Sequence, residues 1–292
     1  MQIKQNITKY AYVAAAILLF TKANAYVTGT YFPMSNQGAI MQNLSLATVG
    51  LEITLTNGQK FECSAVAIGS NKFLTVAHCL SENNSIPTSN FHKLEIKQPD
   101  SSGGIIKIGT DFKKELLKFS RSSWPYTTHS YNGEDYVIVT ITGAKFKNYI
   151  NLAMNAVRTK ALIKQNYTII DKEVDFPLFA EGLHIYGLAY NGLKNKFQFG
   201  HMLTSGYSST VILKNDAFIT FGNSPQSIFA EEGDSGGPMY VCNTNVTNCK
   251  LIGIEDMISR ANKSTYFLPL YQIHNLNNDL LPFSSTNTPF WK

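Results

Sequence analysis

The sequence predicts an all-β protein, and three observations carry that prediction. Beyond residue 25 the chain is mostly short apolar or alternating runs divided by Asn, Gly, Ser and Pro. Helical spacing surfaces at only two places, residues 149–157 and 271–281. The 292 residues are 44% hydrophobic, 12% aromatic and 15% charged, enough apolar material for one large domain or two small ones, which excludes disorder and collagen-like repetition. Periodicity alone leaves sandwich and barrel both open.

In chain order, the first element reads as an export signal. Lys4 and Lys9 precede the apolar run 11–20, and Ala23 and Ala25 follow at cleavage-site spacing, so residues 1–25 are expected to be removed after Ala25. The run is shorter than the roughly 18 residues a membrane span needs. Setting aside Lys4, Lys9 and Lys22 reduces the formal charge of +5 to 22 basic against 20 acidic residues, too even for a nucleic-acid-binding surface. Export brings the four cysteines into an oxidising compartment, where pairing is expected. Of the three connectivities, Cys63–Cys79 with Cys242–Cys249 is the favoured one. Strand-like runs follow at 49–55, 64–68, 73–77 and 136–141, then a connector with a helical portion, then runs at 184–190, 218–221 and 251–254. A helix over 271–281 is stopped by Pro282.

Two segments stand out chemically: Thr75-Val76-Ala77-His78-Cys79 and Gly233-Asp234-Ser235-Gly236-Gly237-Pro238, each after a strand-like run. A serine hydroxyl is a poor nucleophile at neutral pH and needs an imidazole to take its proton. Glycines beside it let backbone N–H groups turn toward a developing oxyanion without Cβ obstruction. Ser235 and His78 can supply the pair. A buried carboxylate should fix the tautomer of His78, and Asp135 is the best candidate because it opens the apolar run 136–139; Glu134 and Asp111 are the competing acids. The remaining histidines show no paired metal-ligand spacing, so no metal and no cofactor is expected.

These residues resemble the chymotrypsin/trypsin-like serine protease family. His78 in T-V-A-H-C, Asp135 before an apolar strand, and Ser235 in G-D-S-G-G-P follow the family's order of His, Asp, Ser. The resemblance spans about residues 40–281. It implies two perpendicular six-stranded antiparallel β-barrels with a C-terminal helix: a peptidase domain over 40–282, with the first barrel at about 40–145, a connector at 146–177, the second barrel at 178–270 and the helix at 271–281. It further implies a secreted or periplasmic endopeptidase acting through an acyl-enzyme, with Ser235 as nucleophile, His78 as base, Asp135 as orienting acid, and the N–H groups of Gly233 and Ser235 as oxyanion hole. A new N-terminal ammonium would pair with Asp234 after loss of a short propeptide, 26–39. The chain departs from the family in having no cysteine near Glu231 to brace the substrate pocket.

Alignment through the hexapeptide places Phe229 at the pocket floor, with Glu231, Glu232, Glu255 and Asp256 nearby. Carboxylates lining a concavity attract Lys or Arg side chains, so cleavage after a basic residue is expected first, cleavage after an apolar residue seated over Phe229 second, and cleavage after an acidic residue last. Glu255 and Asp256 are strand neighbours and must face opposite sides, so only one of them can line a pocket. The expected partners are protein or peptide substrates, without nucleic acid or a membrane span; a protein inhibitor is left open. Two other readings stand beside this one: a catalytically silent binding protein on the same fold, and an esterase using the same triad.

Overall fold

Period-two alternation of apolar residues builds the first sheet. Its strands are β1 (Thr48–Leu55), β2 (Lys60–Gly69), β3 (Lys72–Thr75), β4 (Phe91–Pro99), β5 (Ile105–Phe112), β6 (Leu117–Ser120) and β7 (Val137–Ile141). All pairings are antiparallel, in the order β5-β4-β1-β2-β3-β7-β6, and the sheet is curled. The computed structural model describes residues 44–81, 86–102, 104–120, 135–152, 174–176, 184–192, 196–201, 211–214, 217–221, 233–242, 249–259, 264–270 and 273.

Residues directly opposite in a ladder share a face. Leu51 is therefore on one face with Cys63 and Ile96, Ile53 with Leu94, and Phe73 with Ala67 and Val139. All of these are buried and form the core of this half. Fully burying one Leu, Ile or Phe is worth about 1.5–3 kcal/mol, so this face fixes the register.

The second sheet comprises β8 (Val174–Phe176), β9 (His184–Asn191), β10 (Lys196–His201), β11 (Val211–Lys214), β12 (Ala217–Phe221), β13 (Pro238–Cys242), β14 (Cys249–Ser259) and β15 (Ser264–Pro269). Its order is β10-β9-β13-β14-β15-β12-β11-β8, again antiparallel. It includes β8, which lies inside the stretch expected to be a connector: a three-residue strand is too short for a periodic signal. Of the helix expected over 149–157, residues 149–151 are not helical but Leu152 is, so any helix there starts no earlier than 152; Ile150 is tied to the first sheet by its N–H donating to Ala67 O. The rest of that stretch, the expected helix 271–281 apart from Ile273, and residues 1–43 lie outside the described residues.

β9 packs against β1 and β2, and a charged cluster sits at this junction. Glu52 is in register with Glu62 on one side and Glu95 on the other, an arrangement that would be repulsive alone. Lys97 offsets it: buried at 7% exposure, its Nζ lies 3.1 Å from Glu52 and 3.5 Å from Glu95, and donates to Tyr190 Oη of β9 at 2.8 Å. Burial disfavours its charge, but Tyr190 and Glu52 outweigh this and hold Lys97 above its ordinary value. The ammonium meets Tyr190 through its hydroxyl, and its Nζ also lies 5.1 Å from the ring centroid, within cation–π range.

Candidate active site

His78 sits in a single 3-10 turn, Ala77–Cys79, that follows β3. The Cys63–Cys79 disulfide ties this turn to β2, and the second disulfide, Cys242–Cys249, joins directly opposed residues of β13 and β14. Asp135 lies two residues before β7, the strand paired to β3, so the ladder itself brings it to His78. Its two oxygens take two donors from the one residue: Oδ2 is 2.6 Å from His78 Nδ1, and Oδ1 accepts the His78 backbone N–H at 2.9 Å. This chelate fixes both the ring and its backbone. It also assigns the proton to Nδ1, leaving Nε2 free to act as a base.

The competing acid, Asp111, is in β5, exposed and paired with Lys113. Burial pushes the Asp135 carboxyl up, but its bonds to His78 and to Asp256 more than reverse this, and it titrates below the ordinary 3.8. Burial likewise disfavours the His78 imidazolium. The hydrogen bond and charge of Asp135 raise it above 6.5; a charge on Asp256, were it ionised, would add to this as the smallest contribution.

The Ser235 segment is held against the first sheet mainly by one residue, Ser64. Its N–H donates to Ser235 O at 2.8 Å and its Oγ donates to Gly233 O at 3.1 Å. The same Oγ accepts Tyr190 N–H at 2.8 Å, and Ser64 O accepts Thr75 Oγ1–H at 2.7 Å. Ser235 O is also 3.6 Å from Cys79 Sγ, which sets the serine beside the residue that follows His78.

Gly233 and Gly236 have φ of +99° and +88°, a region where side chains are strained. A Cβ on Gly236 would moreover overlap Ser64 O and Thr75 Oγ1. The resulting turn donates the Gly237 N–H internally to Asp234 O at 2.9 Å and the Gly236 N–H across to Glu255 O of β14 at 2.7 Å. Those of Gly233 and Ser235 have no acceptor among the described residues, so two donors are presented from one turn. Ser235 Oγ makes no hydrogen bond among the described residues; without substrate, such bonds are often long or misaligned.

Asp234 and Glu255 are both buried, each 5% exposed. Burial, then the charge of the neighbouring Asp234, hold Glu255 well above the ordinary 4.5, and any charge on Asp256 would push the same way. Asp256 turns the other way, with Oδ1 4.0 Å from His78 Nδ1. His78, Asp135 and Asp256 each offer one ligand atom within 4.8 Å of the others, a spacing open to a metal in principle. The 2.6 Å between Nδ1 and Oδ2 is a hydrogen-bond length, too short for both atoms to ligate one ion comfortably. Phe229 and Glu232, expected near the substrate, lie outside the described residues, as does Glu231.

Sequence reasoning missed Ser64. The available signal was a serine inside the apolar run C-S-A-V-A-I, where a buried hydroxyl must find partners.

Two antiparallel sheets in this order, the first of them curled, make a chymotrypsin-like double-barrel fold. Among solved structures, the chain is similar to HL collagenase, with TM-score 0.50 and 15% identity over 84% of this chain and 94% of that one. It is also similar to a scabies mite inactivated protease paralogue (TM-score 0.49, 13% identity, 86% of this chain and 97% of that one) and to a Glu endopeptidase (0.47, 13%, 83% and 91%). No protein-family model matches the sequence, and no curated protein does.

Proposed function

We propose that the chain is an exported serine endopeptidase that hydrolyses peptide bonds through an acyl-enzyme. Ser235 attacks the scissile carbonyl, His78 Nε2 takes its proton and returns it to the leaving amine, and Asp135 remains ionised throughout. The N–H groups of Gly233 and Ser235 receive the oxyanion. The observation that carries this reading is the Asp135–His78 chelate, 2.6 and 2.9 Å, beside a turn with two N–H groups that have no acceptor among the described residues. Exposure to an active-site serine phosphonate tests it: the expected result is a single adduct on Ser235, lost in Ser235→Ala and His78→Ala.

A catalytically silent binding protein is the second reading, favoured by the lack of a hydrogen bond at Ser235 Oγ among the described residues. Absence of the adduct would select it. Matched ester and amide substrates separate peptidase from esterase.

For specificity, the reading remains cleavage after a basic residue. Glu255 and Asp256 are directed to Asp234 and Asp135, so the pull on Lys or Arg would come from Glu231 and Glu232. Comparing turnover of peptides carrying Arg, Phe or Glu before the scissile bond decides it. A propeptide ending at residue 39, with the new terminus pairing with Asp234, is tested by N-terminal sequencing of active protein.

A further inference from the structure

We propose that Asp256 is a positioning residue that works as a neutral carboxylic acid: it keeps its proton, donates it in a hydrogen bond to Asp135, and so steadies the carboxylate that holds His78. Its kinetic consequence rests on the protease reading above; its protonation state does not.

The backbone aims this side chain. In the β14–β15 ladder Glu255 faces Phe267 and Met257 faces Tyr266, so Asp256 is an extra residue, a β-bulge. Bulges re-aim side chains next to functional sites. Here Glu255 goes to the Asp234 side and Asp256 to the His78 side, its Oδ1 4.0 Å from Nδ1.

Asp135 already receives two N–H donors from His78, one on each oxygen. An ionised Asp256 could give it nothing and would add repulsion between two carboxylates whose oxygens lie within 4.8 Å. Two such groups share one proton, and the one with N–H donors is the one that ionises. The proton therefore resides on Asp256.

The groups around it agree. Asp135 and His78 face it, Glu255 precedes it on β14 with Asp234 beyond, and Tyr266 stands on β15. No Lys or Arg pairs with Asp256 among the described residues; the cation that favours its charge is the His78 imidazolium when it forms, and its pull is the smallest of the influences on Asp256. Burial, followed by the charge and hydrogen bond of Asp135, lifts it well above the ordinary 3.8.

The proton balance then follows. With one proton on Asp256 and none on Nε2, His78 is neutral and can accept the proton of Ser235 Oγ; Asp135 stays anionic, and the Asp256 proton is not consumed. As pH rises through its raised folded value Asp256 ionises, its donation ends, and a second anion stands beside Asp135.

The test uses the full chain labelled with 15N-histidine, reading the His78 titration by NMR and the pH dependence of phosphonate attack on Ser235. Asp256→Asn keeps a neutral donor; Asp256→Ala removes it. The expected result is that Asn leaves the His78 midpoint within about 0.3 units, keeps acylation within roughly threefold near neutrality and abolishes the fall in rate as Asp256 ionises, while Ala slows acylation about tenfold. A His78 midpoint lowered by about one unit or more in Asp256→Asn would show that an anion had been removed, and would overturn the proposal. So would equal rates for Asn and Ala. If wild type is not labelled at Ser235, the protease reading fails while the NMR titration still decides the state of Asp256. If Asp256→Ala does not fold, the Asn titration decides alone.

Discussion

Ser64→Ala is the most informative single perturbation, because one hydroxyl links three elements. Ser64 has no exposed surface, and its Oγ both accepts Tyr190 N–H and donates to Gly233 O. Removing it takes away the acceptor of a buried N–H, at about 1–3 kcal/mol, and one donor from the Gly233 carbonyl, at about 0.5–1.5 kcal/mol. The backbone bond from Ser64 N–H to Ser235 O survives the change, so the turn is loosened and not released. A net loss of about 2–3 kcal/mol corresponds to a Tm lower by roughly 4–12 °C in a domain of this size. Because Gly233 O belongs to the peptide that follows the oxyanion N–H, freeing it should also cost about tenfold in acylation, less than the 10²–10³ for deleting a donor outright. Thermal unfolding by circular dichroism and the rate of phosphonate labelling read the two effects separately. An unchanged Tm would refute the hydrogen-bond reasoning. A lowered Tm with an unchanged labelling rate would show that the Gly233 carbonyl anchor does not position the oxyanion donors.

Three further outcomes are expected. Asp135→Asn should reduce turnover about ten-thousand-fold by imposing the wrong His78 tautomer, whereas Asp111→Asn should stay within about twofold; the reverse pattern in kcat/KM would exchange their roles. Because the folded His78 titrates above 6.5, the stability its imidazolium gains from Asp135 is fully present below about pH 6.5 and is lost as pH rises through the folded value; denaturant melts of wild type and His78→Gln should converge at alkaline pH and diverge in acid. Glu255 has a raised folded pKa, so it contributes most below pH 4.5 and becomes a liability as pH rises through its folded value; Glu255→Gln should gain Tm relative to wild type between pH 5 and pH 8, and a parallel pair of curves would count against a neutral buried Glu255.

What the sequence made legible is what is local in the chain. Runs such as 49–55, 136–141 and 251–254 alternate or stay apolar over enough residues to declare strands, and all three are strands. β4 is harder to read, since F-H-K-L-E-I-K-Q-P looks half solvated, and it is central because Lys97 and Glu95 face a charged cluster and not water. His78 and Ser235 are marked by the residues flanking them, because a backbone turn that presents two N–H groups needs glycines at fixed offsets. Ser64 has no such flank: its roles are defined by partners 126 and 169 residues away. Asp256 shows the limit of the parity rule. Alternation sets Glu255 and Asp256 on opposite faces of a regular strand, but the register here shifts at Asp256, so which of them reaches the reacting groups depends on a bulge that only the pairing with Phe267 and Tyr266 reveals. A carboxylate in such a strand reads from sequence as a charge offered to substrate. Once Asp135 is known to hold both of its oxygens on His78, the same carboxylate reads as a proton donor, and the sign of its electrostatic effect on the site is reversed.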